Sequence, residues 1–172
     1  MLRAALITVL MLLAPSAAMS GSAFTPEYAA DIFWGFRKLI PDVEASEAYL
    51  KGAGLKRTLK QADDIVLELE YADKTETLFA NLEKQSIPKV ADNFFVSVSV
   101  YETDRTFVDA AVKALGRKLN RSDAQPLESD EGWEDTGWVM KEGDPTVVIS
   151  VAYNAEHQLT KIWSHQLLVG DE

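Results

Sequence analysis

Two stretches of strict alternation limit what this chain can become. Over residues 94–102, Val96, Val98 and Val100 fall on one side of an extended backbone, and Phe95, Ser97, Ser99 and Tyr101 fall on the other. Over 145–154, Val147, Ile149, Val151 and Tyr153 alternate with Val148, Ser150, Ala152 and Asn154. A period of two belongs to strands, and an apolar row on one strand face has to be buried against another layer. The second stretch is dense enough in apolar residues to be a central strand. A third alternation sets Ile65, Leu67, Leu69 and Tyr71 against Asp64, Val66, Glu68 and Glu70, which predicts a strand over 63–71 with one solvated face. Segments 136–141 and 158–168 flank the central strand, with turns at Glu142-Gly143-Asp144 and Asn154-Ala155-Glu156-His157.

Helical spacing fills the intervals. Thr25-Pro26-Glu27 supplies a hydroxyl cap, a proline where no amide hydrogen is needed and an acid at the positive end of the dipole. The helix it opens runs to Ile40 and buries Ala29, Ile32, Phe33, Phe36, Leu39 and Ile40, leaving Trp34 on the wet side with Glu27, Asp31 and Lys38. A second helix from Ser46 carries Ala48, Leu55, Leu59 and Ala62 on one face and bends where Gly52 and Gly54 weaken it. Asp73 and Glu76 read as a capping box for a helix to Ser86 that buries Leu78, Phe79 and Leu82. The helix over 104–120 buries Phe107, Val108, Ala111, Val112, Leu115 and Leu119, while Lys113, Arg117, Lys118 and the following Arg121 complement its dipole. Together these segments predict an α+β domain: a mixed or antiparallel sheet of about five strands, helices mainly on one face, and a C-terminal three-stranded meander. The acidic stretch 121–135 is expected to be a flexible loop.

The amino terminus adds a location. Arg3, an apolar run over 4–14 broken only by Thr8, and the small residues of Pro15-Ser16-Ala17-Ala18 read as a secretory signal peptide, residues 1–22, with cleavage between 18 and 22. The run falls short of the roughly 20 residues that span a bilayer, and no arginine pair precedes it. A Sec-type route to the periplasm or beyond follows, leaving a single domain over 23–172 with no stable membrane anchor. The chain has no cysteine, so disulfides, thiol nucleophiles, cysteine-ligated metals and cysteine-linked lipids are excluded. Its net charge of −10 becomes more negative once Arg3 is removed. Such a surface repels nucleic acid and anionic lipid, which leaves an envelope or extracellular protein or glycan as the expected partner.

No sequence motif marks a reaction. His157 and His165 are the only imidazoles, and no nucleophile elbow accompanies them. They lack the spacing of a zinc pair, and Asp123, Glu128, Asp130, Glu131, Glu134 and Asp135 do not follow the ligand order of a calcium loop. Neither a metal nor a cofactor is expected. Two features go beyond packing. The stretch from Glu131 to Trp138 sets Trp133 and Trp138 among Glu134 and Asp135, a candidate contact surface with Trp34 as a second. The face formed by Phe95, Ser97, Ser99 and Tyr101, joined by Ser150 and Asn154, becomes an amphipathic groove if no helix covers it. The sequence thus suggests a small exported binding, accessory or inhibitor-like factor without chemistry of its own. The alternatives are an envelope hydrolase using His165 or a carboxylate pair, and a carrier of a small amphipathic ligand.

Overall fold

The computed structural model describes residues 24–87, 91–141 and 146–169. The segment read as an export signal lies outside these residues. Thr25 caps the first helix, α1 (Pro26–Arg37), by accepting from the Tyr28 amide at 3.2 Å. Asp42 does the same for α2 (Val43–Gly52) through the Ala45 amide at 2.9 Å. Four strands follow: β1 (Lys56–Ala62), β2 (Val66–Ala72), β3 (Leu78–Ile87) and β4 (Ala91–Val100). After α3 (Arg105–Leu119) come β5 (Gln125–Leu127), β6 (Glu134–Lys141), β7 (Thr146–Asn154) and β8 (Leu159–Val169).

These strands form one antiparallel sheet in the order β1-β2-β3-β4-β8-β7-β6-β5. The domain is α+β, but the sheet has eight strands where about five were expected. Three departures account for the difference. Helix α2 ends at Gly52, and Gly54 takes a positive φ of 87° that turns the chain into β1. The expected bent helix is therefore a helix, a turn and a strand. Asp73 does act as a cap, but of a turn: its carboxylate accepts from the amides of Thr75, Thr77 and Leu78. Glu76 adopts φ 56°, and the chain reverses into β3 instead of winding into a helix. The acidic loop, lastly, contains β5, which pairs with β6.

The expected arrangement, helices mainly on one face, is not matched. Helix α1 packs on β4, β8 and α3, and α3 packs on β7, whereas α2 lies against α1 and beside the edge strand β1. The core between helices and sheet joins Phe33, Phe36 and Leu115 to Val96, Val98, Val100, Ile149, Val151 and Ile162, all buried. Arg37 reaches from α1 into this layer and donates from Nε to the Ser164 hydroxyl at 3.2 Å. Both sheet edges are blunted. Strand β5 is three residues long and contains Pro126, and β1 carries Lys56 and Lys60 and has a register break between Arg57 and Leu59. Each half of the sheet is a four-strand antiparallel run preceded by a helix, and β4 meets β8 where the halves join.

Candidate site on the open face of the sheet

Because side chains alternate along a strand, burial of Val96, Val98 and Val100 turns Phe95, Ser97 and Ser99 to the side of the sheet away from α1 and α3. The register extends that side across the strands. Asn81 is opposite Ser97, Ser97 opposite Trp163, and Trp163 opposite Ser150. In the adjacent row Glu83 faces Phe95, Phe95 faces His165, and His165 faces Val148. Between these rows is a groove of about 270 Å³, bordered by Asn81, Glu83, Phe95, Ser97, Lys161 and Trp163.

The groove has a fixed floor. Asp135 accepts from the Ser150 hydroxyl at 2.7 Å and from the Trp163 indole N–H at 3.0 Å, which locks the indole against β7. Phe95 and His165 stack with ring centroids 4.4 Å apart and planes 5° from parallel. His165 also holds Asn93 through Nε2, and burial pushes its pKa below the ordinary value, so the ring is neutral at neutral pH. Asn81 donates to Glu68 at 3.4 Å, while its carbonyl oxygen is buried in the groove wall without a partner. Two exposed apolar residues stand on the same side of the sheet: Val139 on β6, 45% exposed, and Tyr101 just past β4, 41% exposed. Tyr101 is braced edge-on against Phe79, with centroids 5.8 Å apart.

No family model, no curated protein and no solved structure matches this chain. The chemistry of its surfaces therefore has to be read from their own atoms. His165 is occupied by Phe95 and Asn93, and His157 is exposed in the turn between β7 and β8. Among the described residues, no three His, Asp or Glu side chains are grouped to hold a metal.

The structure separates the residues singled out from the sequence. Phe95 and Ser97 border the groove, with Ser99 half-buried further along the strand. Ser150 is fully buried beneath Asp135, and Asn154 is buried at the β7–β8 turn, where its side chain accepts from the His157 amide at 3.0 Å. Neither Ser150 nor Asn154 is a free surface group. Trp133 and Trp138 do not form one aromatic surface. Trp138 is 1% exposed in the core, whereas Trp133 is half-buried and the exposed Glu134 is paired with Arg105. Trp34 is half-buried against the core rim, with the Lys38 ammonium 4.9 Å and the Arg37 guanidinium 5.6 Å from its ring centroid. Sequence reasoning missed Asn81, Glu83, Lys161 and Trp163. The first two were assigned to a helix, although Asn81, Glu83 and Gln85 have the spacing of one strand face. Nothing in the sequence places 158–168 beside 94–102.

Proposed function

We propose that this protein is a non-catalytic binding factor of the cell envelope or extracellular space, and that it holds a protein partner on the open face of its sheet. The observation that carries this reading is the groove bordered by Phe95, Ser97 and Trp163, with Val139 and Tyr101 exposed on the same face of the sheet. An aromatic centre with a polar border is the usual composition of a protein contact. Trp163 is locked by Asp135 and Phe95 is stacked on His165, so little side-chain freedom is left to lose on binding. The apolar run over 4–14 supports export. The engagement of His165 by Phe95 and Asn93 weighs against a hydrolase that uses that imidazole, and the blunted sheet edges weigh against recognition by strand addition.

Photo-crosslinking in living cells from a probe at Ser97, with a probe at exposed Lys51 as control, tests the proposal. A discrete protein adduct at Ser97 alone is expected, and Tyr101→Asp or Val139→Asp should reduce it without unfolding the chain. Equal adducts at both positions, or an adduct indifferent to these substitutions, would overturn it. Labelling of a glycan in place of a protein would overturn the stated partner class.

A further inference from the structure

A second concavity, independent of the open face, lies at the carboxyl end of α3. Its origin is local. Asn120 ends the helix in the left-handed conformation at φ 54°, and the Arg121 amide turns back to donate to the Gly116 carbonyl at 2.9 Å. Gly116 permits this reversal, since a Cβ there would lie 2.6 Å from the Arg121 carbonyl oxygen. The returning chain leaves an open concavity of about 490 Å³ beside α3 with the indole of Trp138 in its lining, a volume in the range of small-molecule sites.

The lining has two parts. Val112, Ala124 and Trp138 form an apolar floor, and Lys113, Arg117 and Arg121 stand around it. Trp138 is 1% exposed, and its indole N–H makes no hydrogen bond. That N–H does lie close enough to Asp123 to help hold its carboxyl below the ordinary value, an effect owed first to the Arg121 guanidinium.

The cations are not explained by the helix dipole alone. Arg117 and Lys118 occupy the last turn and pair with Glu27 and Asp31 of α1, and Arg121 pairs with Asp123. Lys113 sits before that turn and makes no ion pair among the described residues. Paired surface charges are held weakly and can be redirected. The dipole's negative end opposes an anion, but Asn120 and Arg121 amides already occupy the nearest carbonyls. A chain of net charge −10 thus gathers three cations around one apolar floor.

We propose that this cavity binds an organic anion with an apolar body: the charged head lies between Lys113 and Arg121, and the body lies on Val112, Ala124 and the Trp138 ring. The apolar floor separates this from simple phosphate binding. The test is a titration of the ¹⁵N-labelled protein with decanoate, with decanol and inorganic phosphate as controls, reading the Trp138 indole N–H resonance assigned by its absence in Trp138→Phe. Decanoate should shift that resonance saturably, with decanol and phosphate each about tenfold weaker. Lys113→Glu should weaken decanoate about tenfold while leaving the spectrum otherwise folded. The proposal is overturned if the Trp138 resonance does not move, if decanol or phosphate binds as well as decanoate, or if Lys113→Glu leaves the decanoate curve unchanged. A saturable shift at Trp163 alone would also overturn it, by assigning the ligand to the open face.

Discussion

Replacing Asp135 with alanine should be one of the most destabilising single changes outside the apolar core. The carboxylate receives two donors, the Ser150 hydroxyl at 2.7 Å and the Trp163 indole N–H at 3.0 Å. Ser150 is fully buried, so its hydroxyl cannot turn to bulk water. Hydrogen bonds to a charged group contribute about 1.5–3 kcal/mol each. Ser150 has a partial substitute in the Thr136 carbonyl at 3.4 Å, which places its loss at the lower end. The sum for Asp135→Ala is about 3 kcal/mol, equivalent to a fall in Tm of about 6–12 °C for a domain of this size. Asp135→Asn keeps one carbonyl acceptor and should cost only about 1 kcal/mol. Urea unfolding followed by circular dichroism reads both, since tryptophan fluorescence would report the local change at Trp163 as well. A double-mutant cycle with Ser150→Ala should give a coupling of about 1 kcal/mol. The reasoning fails if Asp135→Ala costs no more than Asp135→Asn, or if the coupling is zero.

The Glu47–Tyr71 pair should shape both limbs of the stability curve. The Tyr71 hydroxyl, with Arg57 assisting, holds the Glu47 carboxyl below its ordinary 4.5, so the stability it gives is complete above that pH and drains away as pH falls further. Burial, then the bond to Glu47, pushes Tyr71 from 10.0 up to about 12, so the folded state loses stability as pH rises through that interval. Glu47→Gln should make the acid limb shallower, and Tyr71→Phe should remove this residue's alkaline loss, both read from urea midpoints across pH. Gly137→Ala should cost about 3 kcal/mol, at the upper end of overpacking effects. Its Cβ would stand 2.2 Å from the Ile149 carbonyl oxygen and 2.7 Å from Ser150 Cα, both backbone atoms of the neighbouring strand. Gly52→Ala meets nothing within 4 Å and serves as the control, so equal unfolding midpoints for the two variants would refute the steric argument.

Where period and packing agreed, the elements were legible. The alternations over 63–71, 94–102 and 145–154 became β2, β4 and β7, and the helix opened by the Thr25 cap and the helical spacing over 104–120 became α1 and α3. Two of the failures share one cause. Leu78 and Leu82, like Leu55 and Leu59, are four residues apart, a spacing that fits a helix turn and a strand face equally well. Ala80, fully buried between Leu78 and Leu82, decides for a strand in β3, but a small residue gives little signal. Strand β1 is exposed at every position, so it has no alternation to read. The groove was half legible. Phe95 and Ser97 come from one recognisable strand, whereas Asn81 and Trp163 reach it only through pairings of β3 and β8 with β4. Trp138 looked like a contact residue because it is aromatic among acids, yet its place on β6 turns it inward. From the sequence alone the lysine and arginine cluster of α3 reads as dipole-complementing charge, and the space beside it becomes visible only with the chain reversal at Asn120.

The meeting of β4 with β8 has a kinetic consequence. Every other pairing in the sheet joins strands adjacent in the chain, closed by a short connection, whereas β4 and β8 pair residues as far apart as Ala91 and Val169. Closing a long loop before its contacts reward it is slow. The topology predicts that the two four-strand ribbons assemble first and that their docking along β4 and β8 comes last. Since that docking also sets Phe95 against His165 and Ser97 against Trp163, the open-face groove is completed only when the last non-local strand pair has closed.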